Sequence, residues 1–307
     1  MSQPLRLSGL VAATYTPLHA DGSVHWERIP QFVEDLIQRK IVGLYVLGST
    51  GEGISLTTTE RCDVAAQFVE AADGRIPVIV QVGSECVAAS RQLADHAESV
   101  GAAGISAVSP VYFKPDSVST LVETMAEIAG GAPSLPFYYY HIPSITGVAL
   151  NMVEFLETGA ERIPNLAGLK FTSQNLFEFQ QCVEWNNQQM EIFWGVDEML
   201  LPGLACGARG AVGSTYNYAS SIYHRLLKAF AEGDLQEARR WQACSQLLVK
   251  TFLPFGPRAA QKAIMSMIGL DAGPCRWPNR NLTPAQYEQL REQLKSIGFF
   301  EWQELTP

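Results

Sequence analysis

One lysine in this sequence occupies a position where an amine could do covalent chemistry. Lys170 lies inside the apolar run Leu166-Ala167-Gly168-Leu169-Lys170-Phe171-Thr172, whereas the other lysines fall in helical stretches or, at Lys114, in a loop. Lysine is rarely buried without a partner or a task, and burial lowers its pKa, so a neutral amine becomes available to attack a carbonyl. The run therefore indicates an imine-forming lysine. The alternative is a lysine at a strand end that reaches solvent or pairs with a carboxylate.

Tyrosines in the preceding apolar run could move protons beside that amine. Side chains alternate between the two faces of a strand, so Tyr138 and Tyr140 share one face, as Gly168, Lys170 and Thr172 do on theirs. A tyrosine next to an imine-forming lysine can carry a proton to and from a substrate hydroxyl. Aromatic packing is the alternative for at least two of the three tyrosines at 138–140.

A glycine-rich loop, Gly48-Ser49-Thr50-Gly51-Glu52-Gly53, follows the second apolar run. Its spacing is not the G-x-G-x-x-G of dinucleotide sites, and it lacks the lysine of a P-loop. It does offer two hydroxyls and free backbone N–H groups near a helix start, which suit a substrate carboxylate. A plain turn is the alternative.

Acidic residues and histidines raise the question of a metal. Asp197 and Glu198 are adjacent, so within a strand they would point to opposite faces, and they could reach one ligand only where the strand frays. The histidines are dispersed, and only His141 stands at a strand end. A divalent site normally needs a denser cluster. We therefore expect no metal and read the acidic pair as substrate ligands or solvated carboxylates.

The elements that must position these residues follow an eightfold pattern. Short apolar runs alternate with amphipathic stretches such as 25–40, 57–72 and 86–100. Near-continuous apolar runs are typical of parallel strands buried on both faces. Eight such units predict a (β/α)₈ barrel. The runs are 9–17, 43–50, 77–83, 104–110, 136–143, 166–173, 191–199 and 210–217.

The barrel fold predicts where the site lies, because active sites of such barrels form at the carboxyl ends of the strands. Three further helical stretches, 234–255, 258–269 and 283–298, follow the last strand. We expect a barrel at 1–233 that carries the site and a helical extension at 234–307 that packs on it as part of one unit. The polar residues at the strand ends are Ser49, Thr50, Tyr112, Tyr138, Tyr140, His141, Lys170, Thr172, Asp197, Glu198 and Ser214.

Composition excludes several classes of partner. The 307 residues carry a formal net charge of −9, and an acidic surface repels nucleic-acid backbones and anionic membranes. No apolar run approaches the ~20 residues that span a bilayer, and the first eight residues lack the regions of a signal peptide. The six cysteines are scattered. We therefore expect a cytoplasmic protein with a small-molecule substrate. The low charged fraction of 17% favours an oligomer.

Five motifs in this order resemble the N-acetylneuraminate lyase branch of the dihydrodipicolinate synthase superfamily of class I aldolases. The resemblance spans essentially the whole chain. The motifs are Gly48-Ser49-Thr50-Gly51-Glu52, Tyr140-His141-Ile142-Pro143, Gly168-Leu169-Lys170-Phe171-Thr172, Gly195-Val196-Asp197-Glu198 and Gly213-Ser214-Thr215-Tyr216-Asn217.

The resemblance implies a role for each residue. Lys170 would form the Schiff base, and Tyr140, helped by Ser49, would relay the proton of the C4 hydroxyl. Ser49 and Thr50 would hold the substrate carboxylate. The polyol would face Thr172, Gly195, Asp197, Glu198 and Ser214. It further implies cleavage of N-acetylneuraminate to pyruvate and N-acetylmannosamine without metal or cofactor, in a homotetramer. Tyr112 matches, less closely, a tyrosine that subunits of the superfamily lend to a neighbour.

One departure helps to choose within the superfamily. Dihydrodipicolinate synthases resemble Y-N-V-P-x-R-T-G at the position where this chain has Tyr140-His141-Ile142-Pro143-Ser144-Ile145-Thr146-Gly147. Ile145 stands where those enzymes have the arginine of this motif, and it has no guanidinium group with which to bind an anionic second substrate. The substitution favours the sugar-acid branch. A sibling aldolase for another 2-keto-3-deoxy sugar acid and a catalytically silent keto-acid-binding barrel remain as alternatives.

Overall fold

The computed structural model describes residues 4–303, so the first three residues of the segment examined for a signal and the last four of the extension lie outside it. Eight parallel strands form a closed barrel in chain order, and β8 pairs with β1. The predicted (β/α)₈ barrel is confirmed. The strands are β1 Gly9–Ala13, β2 Gly43–Val46, β3 Val78–Gln81, β4 Gly104–Val108, β5 Phe137–His141, β6 Leu166–Phe171, β7 Glu191–Trp194 and β8 Gly210–Gly213.

Helices surround the barrel and extend beyond it. In the described part of the chain, no helix combines the length and the apolar character needed to cross a membrane. The helices are α1 Ile29–Gln38, α2 Thr58–Ala72, α3 Val87–Ser99, α4 Val118–Ala129, α5 Pro143–Thr146, α6 Met152–Arg162, α7 Leu176–Glu184, α8 Leu200–Ala205, α9 Tyr216–Ala231, α10 Leu235–Phe252, α11 Pro257–Met267, α12 Pro284–Ser296 and α13 Phe299–Gln303.

The strands end earlier than the apolar runs predict. Run 191–199 becomes β7 only as far as Trp194, and its last residues, Asp197–Met199, form a 3₁₀ turn. Hydrophobicity continues past the last ladder hydrogen bond because the loops at this end are themselves buried. The helix start at Thr57 is as predicted, since its side chain and that of Glu60 form a capping box.

Side chains inside the barrel form a core of their own. Val11, Tyr45, Ile79, Tyr138 and Phe193 belong to this interior cluster, which is separate from the larger layer between strands and helices. The Tyr138 hydroxyl donates to Glu191 at 2.6 Å and accepts from the Leu5 backbone N–H. Because Leu5 and Glu191 lie at the amino end of the barrel, Tyr138 closes the bottom and packs rather than reacts.

Helices after β8 hold the mouth of the barrel in place. Lys262 of α11 pairs with Glu52 at 2.8 Å, both almost fully buried, and donates to the carbonyl oxygens of Thr16 and Pro274. Arg276 pairs with Glu60 at the start of α2. The extension therefore fixes the loop after β2, which contains Ser49 and Thr50.

Candidate active site

A cavity of about 560 Å³ opens at the carboxyl end of the barrel strands. It brings together predicted site residues that are up to 165 positions apart in sequence, from Ser49 to Ser214. Tyr112 is the one proposed site residue that does not line it. The predicted residues that do are Ser49, Thr50, Tyr140, Lys170, Thr172, Gly195, Asp197, Glu198 and Ser214.

Lys170 projects into the floor of this cavity from β6 and is only 4% exposed. Its Nζ lies 3.9 Å from the ring centroid of Tyr45 and 4.0 Å from that of Tyr140. Among residues 4–303, no carboxylate forms an ion pair with it, which argues against a lysine that pairs or reaches solvent. Burial lowers the pKa of Lys170, and nearby Tyr140 and Asp197 oppose that change only in part. The Lys170 side chain is thus neutral in a larger fraction of the molecules than a free lysine side chain would be.

Tyr140 stands beside Lys170 because the two residues are partners in the β5–β6 register. Its ring also meets that of Tyr45 edge-on at 5.7 Å. The neighbouring tyrosines have other surroundings, since Tyr138 points to the barrel floor and Tyr139 packs against Phe155 outside the barrel. Of the three, Tyr140 is the phenol that lines the cavity.

The hydroxyl of Thr172, two residues after Lys170, lies close to the backbone of Gly195. A Cβ on Gly195 would lie 2.0 Å from Oγ1 of Thr172, so glycine is required for this close approach. Oγ1 of Thr172 is buried and has no hydrogen-bond partner among the described residues. Buried polar atoms are normally paired, and a substrate hydroxyl could satisfy this one.

Asp197 and Glu198 both reach the cavity because β7 ends before them, as expected if the strand frays. Asp197 accepts hydrogen bonds from the backbone N–H of Thr215 at 2.9 Å and from its hydroxyl. Gly213 makes room for the carboxylate, since a Cβ there would lie 2.0 Å from its Oδ1. Burial raises the pKa of Asp197 to about 6, although the bonds from Thr215 oppose the change.

We expect Asp197→Asn to be more stable than the wild type at pH 8. Between the ordinary pKa of 3.8 and the folded value of about 6, the folded chain retains a proton that the unfolded chain has lost. Stability is therefore lost as the pH rises through this range, by up to about 3 kcal/mol. Asparagine does not ionise, and its oxygen can still accept both bonds from Thr215. Thermal unfolding at pH 8 and pH 5 should show a gain in Tm that shrinks toward pH 5.

The control for this prediction is Asp95→Asn, which changes an exposed carboxylate on α3. It should leave the Tm difference between the two pH values close to that of the wild type. An Asp197→Asn gain that is equally large at pH 5, or absent at pH 8, would contradict a buried carboxylate with a raised pKa.

Helices beyond β8 contribute lining residues that the sequence reasoning missed. Arg258 in the first turn of α11 faces the cavity, forms no ion pair within residues 4–303, and acts to lower the pKa of Lys170. No sequence signal distinguished these helices from ordinary packing, apart from the helix-starting Gly256-Pro257 before Arg258. The additional lining residues are Val249, Phe252, Leu253, Pro257, Arg258 and Gln261.

Three singled-out residues lie elsewhere. Tyr112 is 81% exposed, in a loop whose N–H groups donate to Glu85. His141 faces away from the cavity toward Phe171, and burial lowers its pKa to about 4. Ile145, 56% exposed, borders a second cavity of about 230 Å³ that shares Tyr140 with the first.

Fold and site together define a (β/α)₈ barrel that has, at the carboxyl end of its strands, a buried lysine without an ion-pair partner in the described part of the chain. The dihydrodipicolinate synthetase family model matches residues 6–297. The chain belongs to this family, which confirms the resemblance read from the five motifs. It is 39% identical to human N-acetylneuraminate lyase over 305 residues, covering 98% of this chain and 95% of the relative.

Solved structures give the same result. The barrel is similar to that of Proteus mirabilis N-acetylneuraminate lyase, with a TM-score of 0.93, 40% identity, and coverage of 95% of this chain and 99% of the other. A Ruminococcus gnavus sialic acid aldolase, described as a catalytic lysine mutant, has a TM-score of 0.93 at 26% identity with both chains fully covered.

Proposed function

We propose that the protein is a class I aldolase that cleaves N-acetylneuraminate reversibly into pyruvate and N-acetylmannosamine. The observation that carries the proposal is Lys170, a buried amine that has no counter-ion among the described residues and lies within van der Waals reach of Tyr140 at the base of the strand-end cavity. The 39–40% identity to N-acetylneuraminate lyases over nearly the whole chain supports the substrate.

The proposed reaction begins at the amine of Lys170. The neutral amine attacks the C2 ketone of the open-chain sugar acid, water leaves, and an iminium ion forms. Tyr140, with Ser49, takes the proton of the C4 hydroxyl while the C3–C4 bonding electrons flow into the iminium. N-acetylmannosamine leaves as the aldehyde and an enamine remains. Protonation of the enamine at C3 and hydrolysis release pyruvate and restore Lys170.

The remaining residues would bind the two ends of the substrate. Ser49 and Thr50 would hold the carboxylate, and the guanidinium of Arg258 adds a positive charge to the same cavity. The chain of hydroxyls would be met by Thr172, Gly195, Asp197, Glu198 and Ser214. The buried, unpartnered Oγ1 of Thr172 supports a ligand rich in hydroxyl groups.

Two alternative functions differ from this proposal, one in its substrate and the other in being non-catalytic. A sibling aldolase would act on a shorter 2-keto-3-deoxy sugar acid, and a silent barrel would bind a keto acid without cleaving it. Ile145 in place of a charged residue disfavours condensation with an anionic aldehyde. The proposed reaction draws on the imine as electron sink, so we propose that it needs neither metal nor organic cofactor.

Pyruvate release across a panel of keto acids tests the proposal. We expect N-acetylneuraminate to have a higher kcat/KM than four- to six-carbon keto acids, because buried groups built to pair hydroxyls are left unpaired by short analogues. Efficient cleavage of short acids would favour the sibling aldolase, and no release from any acid would favour the silent barrel. Activity should survive exhaustive chelation by EDTA.

We also propose a homotetramer that acts in the cytoplasm. The exposed apolar residues near the second cavity, namely Ile54, Val111, Tyr112, Phe113 and Ile145, support a subunit contact on this side. Exposed apolar surface of this kind marks interaction sites. In such an assembly Tyr112, remote from the site of its own chain, would be available to a neighbour.

A further inference from the structure

A loop between β1 and α1 brings together two histidines that are six residues apart. A β-bridge between Leu18 and Val24 turns the chain back on itself, so His19 and His25 meet at the base of the turn. Their rings stack with centroids 4.0 Å apart, and Nδ1 of His25 lies 3.1 Å from the carboxylate of Glu27. Neither the resemblance nor the proposed reaction uses these three side chains.

The three residues offer one ligand atom each, and these atoms all lie within 4.8 Å of one another. Within residues 4–303, this is the one such group of three or more metal-binding side chains. Nδ1 of His25 is shielded from solvent, and the polar group near it is the Glu27 carboxylate, which is itself a ligand of the proposed kind. Two imidazoles and a carboxylate are a ligand set that occurs in zinc and in other divalent-metal sites.

The backbone that holds these ligands is fixed on both sides. The N–H of His19 donates to Ser23 and that of His25 to Pro17. The loop is attached to the helical extension through the Leu18 N–H, which donates to Ala272 at 3.1 Å. Arg276 donates to the carbonyl of Gly22 at 3.0 Å and 2.8 Å. A fixed backbone lowers the entropic cost of assembling a site.

We propose that His19, His25 and Glu27 bind a divalent transition-metal ion, with zinc as the reference ion and water as the fourth ligand. Ligand atoms around tetrahedral zinc lie about 3.4 Å apart, given Zn–N bonds near 2.0–2.1 Å. The 3.1 Å between Nδ1 of His25 and the Glu27 carboxylate is close to this spacing. The His19 ring must turn out of the stack to bring a nitrogen into line, and it can do so because it is exposed.

The ion would stabilise the fold and take no part in the reaction. None of the three ligands lines the cavity around Lys170. An ion that binds only the folded chain raises its stability in proportion to the logarithm of the free ion concentration. The expected consequence is a Tm that rises with zinc, while the rate of pyruvate release stays unchanged.

The test uses untagged, full-length protein carrying Cys86→Ser, because the exposed Cys86 thiol is a competing zinc ligand. Titration calorimetry with Zn²⁺ at pH 7.5 should give one ion per chain. His25→Ala and Glu27→Gln should each weaken binding by at least about tenfold, since loss even of an outer-shell partner costs 10–100-fold. The matched control is His96→Ala, which removes a half-buried histidine from α3 and should leave the affinity unchanged.

Cobalt substitution locates the ion independently. Co²⁺ bound to nitrogen and oxygen ligands shows visible d–d absorption without the thiolate charge-transfer band of a cysteine site. Equal zinc affinity in His25→Ala and His96→Ala, absence of binding, or a thiolate band would overturn the proposal. Because pyruvate release is measured on the same samples, failure of the metal site is distinguishable from failure of the aldolase assignment.

Discussion

Lys170→Met should lose pyruvate release from N-acetylneuraminate by about 10⁴–10⁶-fold, the scale on which a covalent nucleophile contributes. Methionine fills the space between Tyr45 and Tyr140 but offers no amine, so the interior packing is kept while the imine cannot form. Steady-state kinetics and circular dichroism on the same samples would separate loss of chemistry from loss of fold.

A chemical trap identifies the amine directly. Incubation of the wild type with pyruvate and borohydride should leave a mass adduct on the peptide that contains Lys170. Lys114→Met, which removes an exposed lysine, should label as the wild type does. An adduct on Lys114 or Lys262, or none, would contradict the assignment.

The comparison with Lys262 shows why burial alone does not identify the nucleophile. Both lysines are 4% exposed, but Lys262 lies 2.8 Å from the carboxylate of Glu52 and donates to two carbonyl oxygens. Lys262 is therefore held by three acceptor groups, and it does not line the cavity. Lys170 has no counter-ion within residues 4–303, and its burial lowers its pKa and so favours the neutral amine.

The barrel could be predicted from sequence because strands buried on both faces leave a one-dimensional signal. Each of the eight apolar runs corresponds to one strand of the barrel. The strand ends were predicted less accurately, since Thr50 and Asp197, in the loops that follow β2 and β7, are themselves buried. Hydrophobicity reports burial, whereas a strand ends where its ladder of hydrogen bonds ends.

The site was predictable where its residues lie in a strand, as Lys170 does, or shortly after one, as Thr172 and Asp197 do. Arg258 could not be found in this way, because it reaches the cavity from a helix whose docking depends on the tertiary fold. The contact between His19 and His25 could not be predicted either, because it too depends on the three-dimensional fold. Spacing along the chain made the histidines look dispersed, and only the turn between Leu18 and Val24 brings them together.

Tyr140→Phe should separate imine formation from bond cleavage. The iminium on Lys170 accepts electrons, but the C3–C4 bond breaks only if the C4 hydroxyl also loses its proton. Phenylalanine keeps the ring over Lys170 and the edge-on contact with Tyr45, and it removes the transferable proton. General acid–base groups contribute about 10²–10⁴-fold, so kcat should fall by that order with little change in Tm. Borohydride should still trap pyruvate on Lys170.

Tyr138→Phe is the matched control for this prediction, because it removes a hydroxyl from the same strand and the same face at the opposite end of the barrel. It deprives the buried Glu191 carboxylate of a donor at 2.6 Å, so we expect a loss of about 1–3 kcal/mol of stability with kcat near the wild-type value. Tyr140→Phe should thus lower kcat with little change in Tm, whereas Tyr138→Phe should lower Tm with little change in kcat. A Tyr140→Phe enzyme that turns over N-acetylneuraminate at the wild-type rate would transfer the proton relay to Ser49 or to a bound water.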